Sequence, residues 1–206
     1  MYIPHHFRQE DPNLLAGFIR DNSFGMLVSI VDGTPFATPL PFLLDSDRGP
    51  KGVLRGHIAR ANPQWRSLDL NEQIMAAFQG PHGYVSPSWY TVSPSVPTWN
   101  YMAVHVYGTA RITSNDELID ILRSTVLAYE DNREEPWRFD SLPGEYIEQM
   151  ARGIIGFEIE ITRIEGKFKL SQNRSADDVS NVIRELEESS IPGAGDLAEA
   201  MRGYSL

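Results

Sequence analysis

Apolar residues along this chain recur at two periods, and the change from one to the other marks the elements. GMLVSIV (25–31) alternates as a half-buried strand does, and Asp32-Gly33 after it is the dipeptide of a tight hairpin. PFATPLPFLLD (35–45) reads as the returning strand. Its Pro39 and Pro41 have no N–H to give to a ladder, so this strand lies at an edge or yields its pairing partway. GVLRGHIA (52–59), EQIMAAFQG (72–80), YMAVHVYGTARIT (101–113) and IIGFEIEITRIEG (154–166) are further strands, the third with Met102, Val104 and Val106 on one face and Ala103, His105 and Tyr107 on the other.

Helical spacing fills the gaps. PNLLAGFIRDN (12–22), capped by Asp11 or Asn13, aligns Leu14, Leu15 and Phe18, and NPQWRSLDLN (62–71) is a short helix. SNDELIDILRSTVLAYED (114–131) carries the strongest start signal: Ser114 caps and Glu117, three residues on, completes a capping box ahead of Leu118, Ile121, Leu122 and Val126. EYIEQMARG (145–153), SADDVSNVIRELEES (175–189) and GDLAEAMRGY (195–204) follow, the last two separated by the IPGAG break. Strands near 25–31, 35–44, 52–59, 72–79, 101–113 and 154–164 come in meander order, interrupted by one helix pair. That order predicts a mainly β fold with α, an antiparallel barrel with helices at its rim, and argues against βαβ repeats.

Charge narrows the partners. There are 28 acidic against 18 basic residues, a net charge of −10, where a nucleic-acid binder needs a basic stripe to neutralise phosphates. The densest basic cluster, Lys167, Lys169 and Arg174, is too small for a DNA footprint, so direct DNA binding is not expected. Cysteine is absent, which removes disulfides, thiolate chemistry and zinc-finger spacing. No run of about 18 apolar residues occurs, and MYIPHHFRQEDPNLL lacks the basic-then-apolar order of a signal peptide, so a cytoplasmic location is expected.

Nucleophile and nucleotide motifs are missing: no Gly-x-Ser-x-Gly elbow, no P-loop and no Gly-x-Gly-x-x-Gly. His5 and His6 are adjacent and poorly spaced for one metal ion, and His105 within an apolar strand reads as a hydrogen-bonded core residue. GHIARANPQW (56–65) is more informative. His57 and Arg60 lie at a strand-to-helix junction that Asn62-Pro63 opens, an arrangement able to hold a phosphate by forked contacts and helix donors. Equally, Arg60 can pair with a surface carboxylate while Asn62 is a plain N-cap. VSPSWYTVSPSVPTWNY (85–101) is uncharged, aromatic and rich in hydroxyls. Trp89, Tyr90, Trp99 and Tyr101 can flank a planar ring while Ser86, Ser88, Thr98 and Asn100 bond its edge or a hydroxylated tail; the other reading is a dimer-interface loop. A phosphate clamp with an aromatic slot is what flavin mononucleotide (FMN) requires.

MYIPHHF, ATPLPFLLD, GHIARANPQW, GPHGYVSPSWY, VPTWNYMAVHVYG and GFEIEITRIEGKFKLSQNRS together resemble the PaiB-type FMN-binding negative transcriptional regulators, over residues 1 to about 186. That family is similar to the FMN-binding split barrels, which include pyridoxamine-phosphate oxidases and flavin reductases. The resemblance implies a six-stranded Greek-key barrel forming a homodimer, with FMN in a cleft between subunits. It puts GHIARANPQW where split barrels hold the phosphate, VPTWNY on the other side of the cleft and KFKLSQN near its open side. The residues so assigned to the cofactor are Thr38, His57, Arg60, Asn62, Ser86, Ser88, Trp99, Asn100 and Lys169, with no metal. One departure is His5, where the family usually has a basic residue. The expected organisation is a barrel domain over 1–186 and a helical tail over 187–206. Two other readings stay open: a negative regulator acting through DNA or a protein partner, and a related barrel that binds haem or a deazaflavin. No catalytic residue or substrate can be named, because the flavin carries the chemistry.

Overall fold

A computed structural model of the chain describes residues 1–70 and 72–204. In chain order its elements are β1 (Arg8–Gln9), α1 (Pro12–Asp21), β2 (Phe24–Val31), β3 (Thr34–Pro41), β4 (Leu43–Asp45), β5 (Val53–Ala59), β6 (Gln73–Val85), β7 (Thr98–Ile112), α2 (Asn115–Glu130), α3 (Gly144–Ala151), β8 (Ile154–Lys169), α4 (Ala176–Glu187) and α5 (Ala194–Tyr204), with short 3-10 helices between. The strands form one sheet in the order β3-β2-β6-β7-β8-β5-β4, with β1 added on β8. The chain divides into two compact units, one of residues 19–78 and 106–164, the other of 1–18, 79–105 and 165–206.

The first of these units holds the barrel. β2 and β3 are antiparallel from Phe24↔Pro41 to Val31↔Thr34, joined by Asp32 and Gly33 at φ 50° and 75°, the left-handed pair a two-residue hairpin needs. β2 also pairs with β6, β5 with β8 and β4 with β5, all antiparallel. The expected strand 35–44 breaks at a single residue. β3 ends at Pro41 and β4 starts at Leu43; Phe42 between them gives its N–H to the Ser23 carbonyl at 2.8 Å. Since β3 and β4 are the two ends of the strand order, the sheet returns to itself through the backbone at Phe42. β3 is thus both the edge and the place where pairing is yielded, the two options its prolines offered.

Phe42 is 1% exposed and meets Phe78 edge-on at 5.3 Å and Phe157 at 6.1 Å between ring centroids. Glycines make room for these rings: a Cβ at Gly25 would stand 2.8 Å from Phe78, and one at Gly56 would stand 2.9 Å from Phe157. α2 begins with the predicted capping box, Glu117 N–H donating to Ser114 Oγ at 3.3 Å and Ser114 N–H to Glu117 Oε2 at 2.8 Å.

The other unit takes the far portions of β6, β7 and β8, together with β1, α4 and α5. Sequence reading ended this strand at Gly80, yet β6 continues through GPHG to Val85. Pairing with β2 is recorded only for Met75 to Ala77, so Pro81 costs no bond on that side, and Gly83 leaves room for Leu197, whose Cδ2 would lie 2.9 Å from a Cβ there. β7 starts three residues before the expected 101, and β8 runs on through KFK. The 187–206 stretch carries α5, with Leu197 and Met201 fully buried in this same unit. The helix expected over 62–71 is a 3-10 helix, Pro63–Asp69, and residue 71 lies outside the described residues.

Phe42→Ala removes the ring at the strand exchange, and we expect it to cost about 3–5 kcal/mol, the scale of a large core truncation. Urea denaturation with an unchanged midpoint would refute the role given to this residue.

Candidate functional site

In the barrel unit, the predicted residues form a relay around one side chain that sequence reading passed over, Gln64. Asn62 caps the 3-10 helix: its Oδ1 accepts from Gln64 N–H at 3.0 Å, while its Nδ2 donates to Thr38 Oγ1 at 2.9 Å. Thr38 Oγ1 donates in turn to Gln64 Oε1 at 2.5 Å. Gln64 is completely buried, and its Nε2 reaches the Leu27 carbonyl (3.1 Å), Ser29 Oγ (3.1 Å) and the Phe36 carbonyl (3.3 Å). One amide thus ties the helix start to both strands of the β2–β3 hairpin and fixes Thr38 and Asn62. Nothing in the pattern marked Gln64, because a glutamine after Asn-Pro reads as helix surface.

Arg60 and His57 are differently placed. Arg60 Nε donates to the Arg152 carbonyl at 2.8 Å, Nη2 to the Ile154 carbonyl at 3.2 Å and its backbone N–H to Gly153 at 2.9 Å, so this arginine closes the turn between α3 and β8. Among the described residues no carboxylate lies within ion-pair distance of it, and the remaining guanidinium N–H groups face solvent. His57 on β5 is half-buried, and burial pushes its imidazole below the ordinary 6.5. It is neutral at physiological pH and able to give a hydrogen bond, not a charge.

In the other unit, Lys169 at the end of β8 donates to Thr98 Oγ1 and to the Trp99 carbonyl, both at 2.5 Å. Asn100 beside them is fully buried; its Nδ2 donates to Ser171 Oγ at 2.8 Å, and Ser171 is held at φ 66°, a conformation costly for a residue with a Cβ. Asn100 Oδ1 and Tyr90 Oη are buried and have no partner among the described residues. Ser86 is occupied as the cap of the 3-10 helix Pro87–Trp89, accepting from Ser88 N–H at 3.2 Å and bonding Ser88 Oγ at 2.7 Å. Trp99 is 55% exposed and meets Tyr84 edge-on at 6.2 Å. Lys167 and Arg174, noted in the sequence only as a small basic cluster, lie over aromatic rings here: Lys167 over Tyr101 (5.1 Å) and Tyr2 (5.6 Å), Arg174 over Tyr90 (4.1 Å). The nine candidates therefore fall into two groups, four in the barrel unit and five in the other.

Two cavities of the barrel unit, roughly 390 and 410 Å³, hold none of them. Arg55 in the first is bound by Asp45 and Asp120, and Arg48 and Arg111 in the second clasp the buried Glu158, so these three arginines are already paired; Arg20, also in the first, donates to Ser46 Oγ at 2.8 Å.

Comparison with known proteins bears on the family and the fold. Residues 1–163 match the family described as "Putative FMN-binding domain". The barrel has the fold of the flavocytochrome Anf3 from Azotobacter vinelandii (TM-score 0.64, 17% identity, 85% of this chain and 76% of that one). It also has that of the FAD and heme binding protein from Mycobacterium smegmatis (TM-score 0.63, 16% identity, 84% and 78%). At these identities the likeness is one of fold alone, that of the split barrels. In sequence, the chain is 40% identical over 201 residues to the protease synthase and sporulation protein PAI 2 of Bacillus subtilis, covering 98% of this chain and 96% of that protein. The chain belongs to the FMN-binding split-barrel family of the PaiB type, and FMN is the cofactor of that family.

The residues present suit such a group. Among the described residues, the Lys169 unit offers cations outside ion-pair distance of any carboxylate, exposed Trp99 and Tyr84 rings, and two buried polar atoms without partners; the barrel unit, taken by itself, offers hydroxyl and amide groups held in fixed positions by Gln64. Gln64→Leu keeps the volume but strips the bonds to Leu27, Phe36, Ser29 and Thr38. We expect about 2–3 kcal/mol of lost stability, since buried acceptors are left unmet. Thermal unfolding within error of wild type would show that the relay carries no weight.

Proposed function

We propose that this protein is an FMN-dependent redox protein acting on a small molecule as a homodimer. The observation that carries the reading is the relay by which the completely buried Gln64 holds Thr38 and Asn62 in fixed positions at the start of the 3-10 helix. When bound, FMN supplies one- and two-electron transfer. The chain's part is to hold it: in the barrel unit Thr38 and Asn62 are its contacts, with His57 as a neutral donor. Arg60 keeps a smaller share than its motif suggested, since two of its donors already serve backbone carbonyls. A regulatory role, in keeping with the name of the Bacillus subtilis relative, would act through ligand state or a protein partner, because so acidic a chain is repelled by DNA. No helix among the described residues is long and apolar enough to cross a membrane. Titration with FMN should give stoichiometric quenching of flavin fluorescence, and a pyridine nucleotide should bleach the bound flavin without air. Absence of FMN binding at micromolar concentration would defeat the proposal.

Support for the dimer comes from the outward face of the β2–β3 hairpin. Phe24, Met26, Val28 and Ile30 stand opposite Pro41, Pro39, Ala37 and Pro35, so every outward position is apolar, with Phe24 68% and Ile30 50% exposed. A second acidic copy can approach closely only across a face without charge. β7 offers less to this contact, since Val104 and Val106 are fully buried. Light scattering should return about twice the 23.2 kDa chain mass, and Ile30→Asp should shift it toward one chain; a wild-type mass of 23.2 kDa would rule the dimer out.

A further inference from the structure

We propose that Lys167, Lys169 and Arg174 form an oxyanion subsite that receives the carboxylate or phosphate of a small planar reactant other than FMN. This rests on the reading of the chain as an FMN protein. Lys167 and Lys169 are two apart on β8 and so share one face of the strand. Lys167 is only 8% exposed, and a cation so buried ordinarily has a carboxylate beside it; here its neighbours are the Tyr2 and Tyr101 rings. Lys169 places two of its three ammonium protons on Thr98 and Trp99 and has a third to give. Arg174 stacks on Tyr90 and makes no ion pair among the described residues, which leaves the planar fork of its guanidinium available.

The nearby carboxylates are taken. Glu165, on the same strand face, is engaged by the Met1 ammonium. The Asp178 carboxylate accepts from Thr91 N–H (2.7 Å) and Thr91 Oγ1 (2.8 Å) and its backbone N–H donates to Ser175 Oγ (3.2 Å), so its side chain is held on Thr91 and meets Arg174 by charge alone, without an ion pair. Burial first, and then the charges of Lys167 and Arg174, push the Lys169 ammonium below its ordinary 10.5. Three cations that strain one another, none of them within ion-pair distance of a carboxylate among the described residues, leave a place for a counter-charge from outside. The rings around them, Tyr90, Tyr101 and the exposed Trp99, select a flat body attached to the oxyanion.

The test uses FMN-loaded protein titrated with 1-naphthoate and 1-naphthyl phosphate, followed by calorimetry, with 1-naphthylmethanol as the uncharged comparison. Both anions should bind saturably and the alcohol should not. Arg174→Gln and Lys169→Met should each weaken anion binding about tenfold or more, the scale of a lost charge-assisted hydrogen bond. Arg174→Gln, which removes no hydrogen bond of the folded chain, should leave the FMN dissociation constant within about twofold. The inference is overturned if wild type shows no saturable anion binding, or if both variants bind the anions like wild type. It is also overturned if Arg174→Gln weakens FMN and the anions in parallel, for the oxyanion is then the flavin's own phosphate. A wild type that takes no FMN defeats the flavin reading separately, and the same titration of flavin-free protein still decides the subsite.

Discussion

The burial of Phe42 is the constraint from which the barrel follows. A strand that paired with β2 all the way to Asp45 would leave β5 with one bare side and the strand order with two open ends. Exchange at Phe42 lets one continuous stretch serve both ends, and the ring sits against Phe78 and Phe157, so the exchange is anchored in the core. Gly25 and Gly56 matter for the same reason: each stands where a side chain would collide with one of the two phenylalanines. The three prolines of β3 complete the arrangement. Pro35, Pro39 and Pro41 share the outward phase of the strand, so the groups they lack are those that would point away from β2. They cost the hairpin nothing and strip the free edge of donors that a stray strand could use.

What the sequence made legible is what depends on neighbours along the chain. Asp32-Gly33 specified its hairpin because only that turn geometry joins two twisted strands in two residues, and Ser114 with Glu117 specified a helix start because both halves of the capping box are local. What stayed hidden depends on tertiary partners. The GPHG stretch reads as a turn by composition, and it remains extended because β6 has no β2 partner to lose there and because Leu197, more than a hundred residues later, needs the space over Gly83. β1 is two residues long and exists only because β8 offers an edge. Gln64 has no signature, since its importance lies in the carbonyls of two strands that a linear pattern cannot bring near it.

The candidate site divides along the same line. Sequence pattern found the residue types and missed their employment: Asn62 is at once an N-cap and a donor to Thr38, and Arg60 is a turn closer first. The alternation of KFK could have marked Lys167 and Lys169 as one face, and read with the aromatic loop it would have drawn attention to the cations sooner. Resemblance to a family supplied the cofactor; it could not say which side chains remain free for a ligand. That depends on counting donors and acceptors already used, and the count exists only in three dimensions.

Seen as electrostatics, the excess of acid over base and the small cationic cluster belong together. A net charge of −10 gives the chain a negative long-range field, screened over about a Debye length, about 8 Å at physiological salt. A small anion that reaches Lys167, Lys169 and Arg174 passes inside that range and meets partly desolvated cations whose attraction is screened far less. The cationic cluster thus acts at short range, where it favours a small anion. The same division explains why Asp178 and Glu165 must be engaged elsewhere: either carboxylate, free to turn toward the lysines, would fill the position that the acidic surface otherwise keeps for a small ligand.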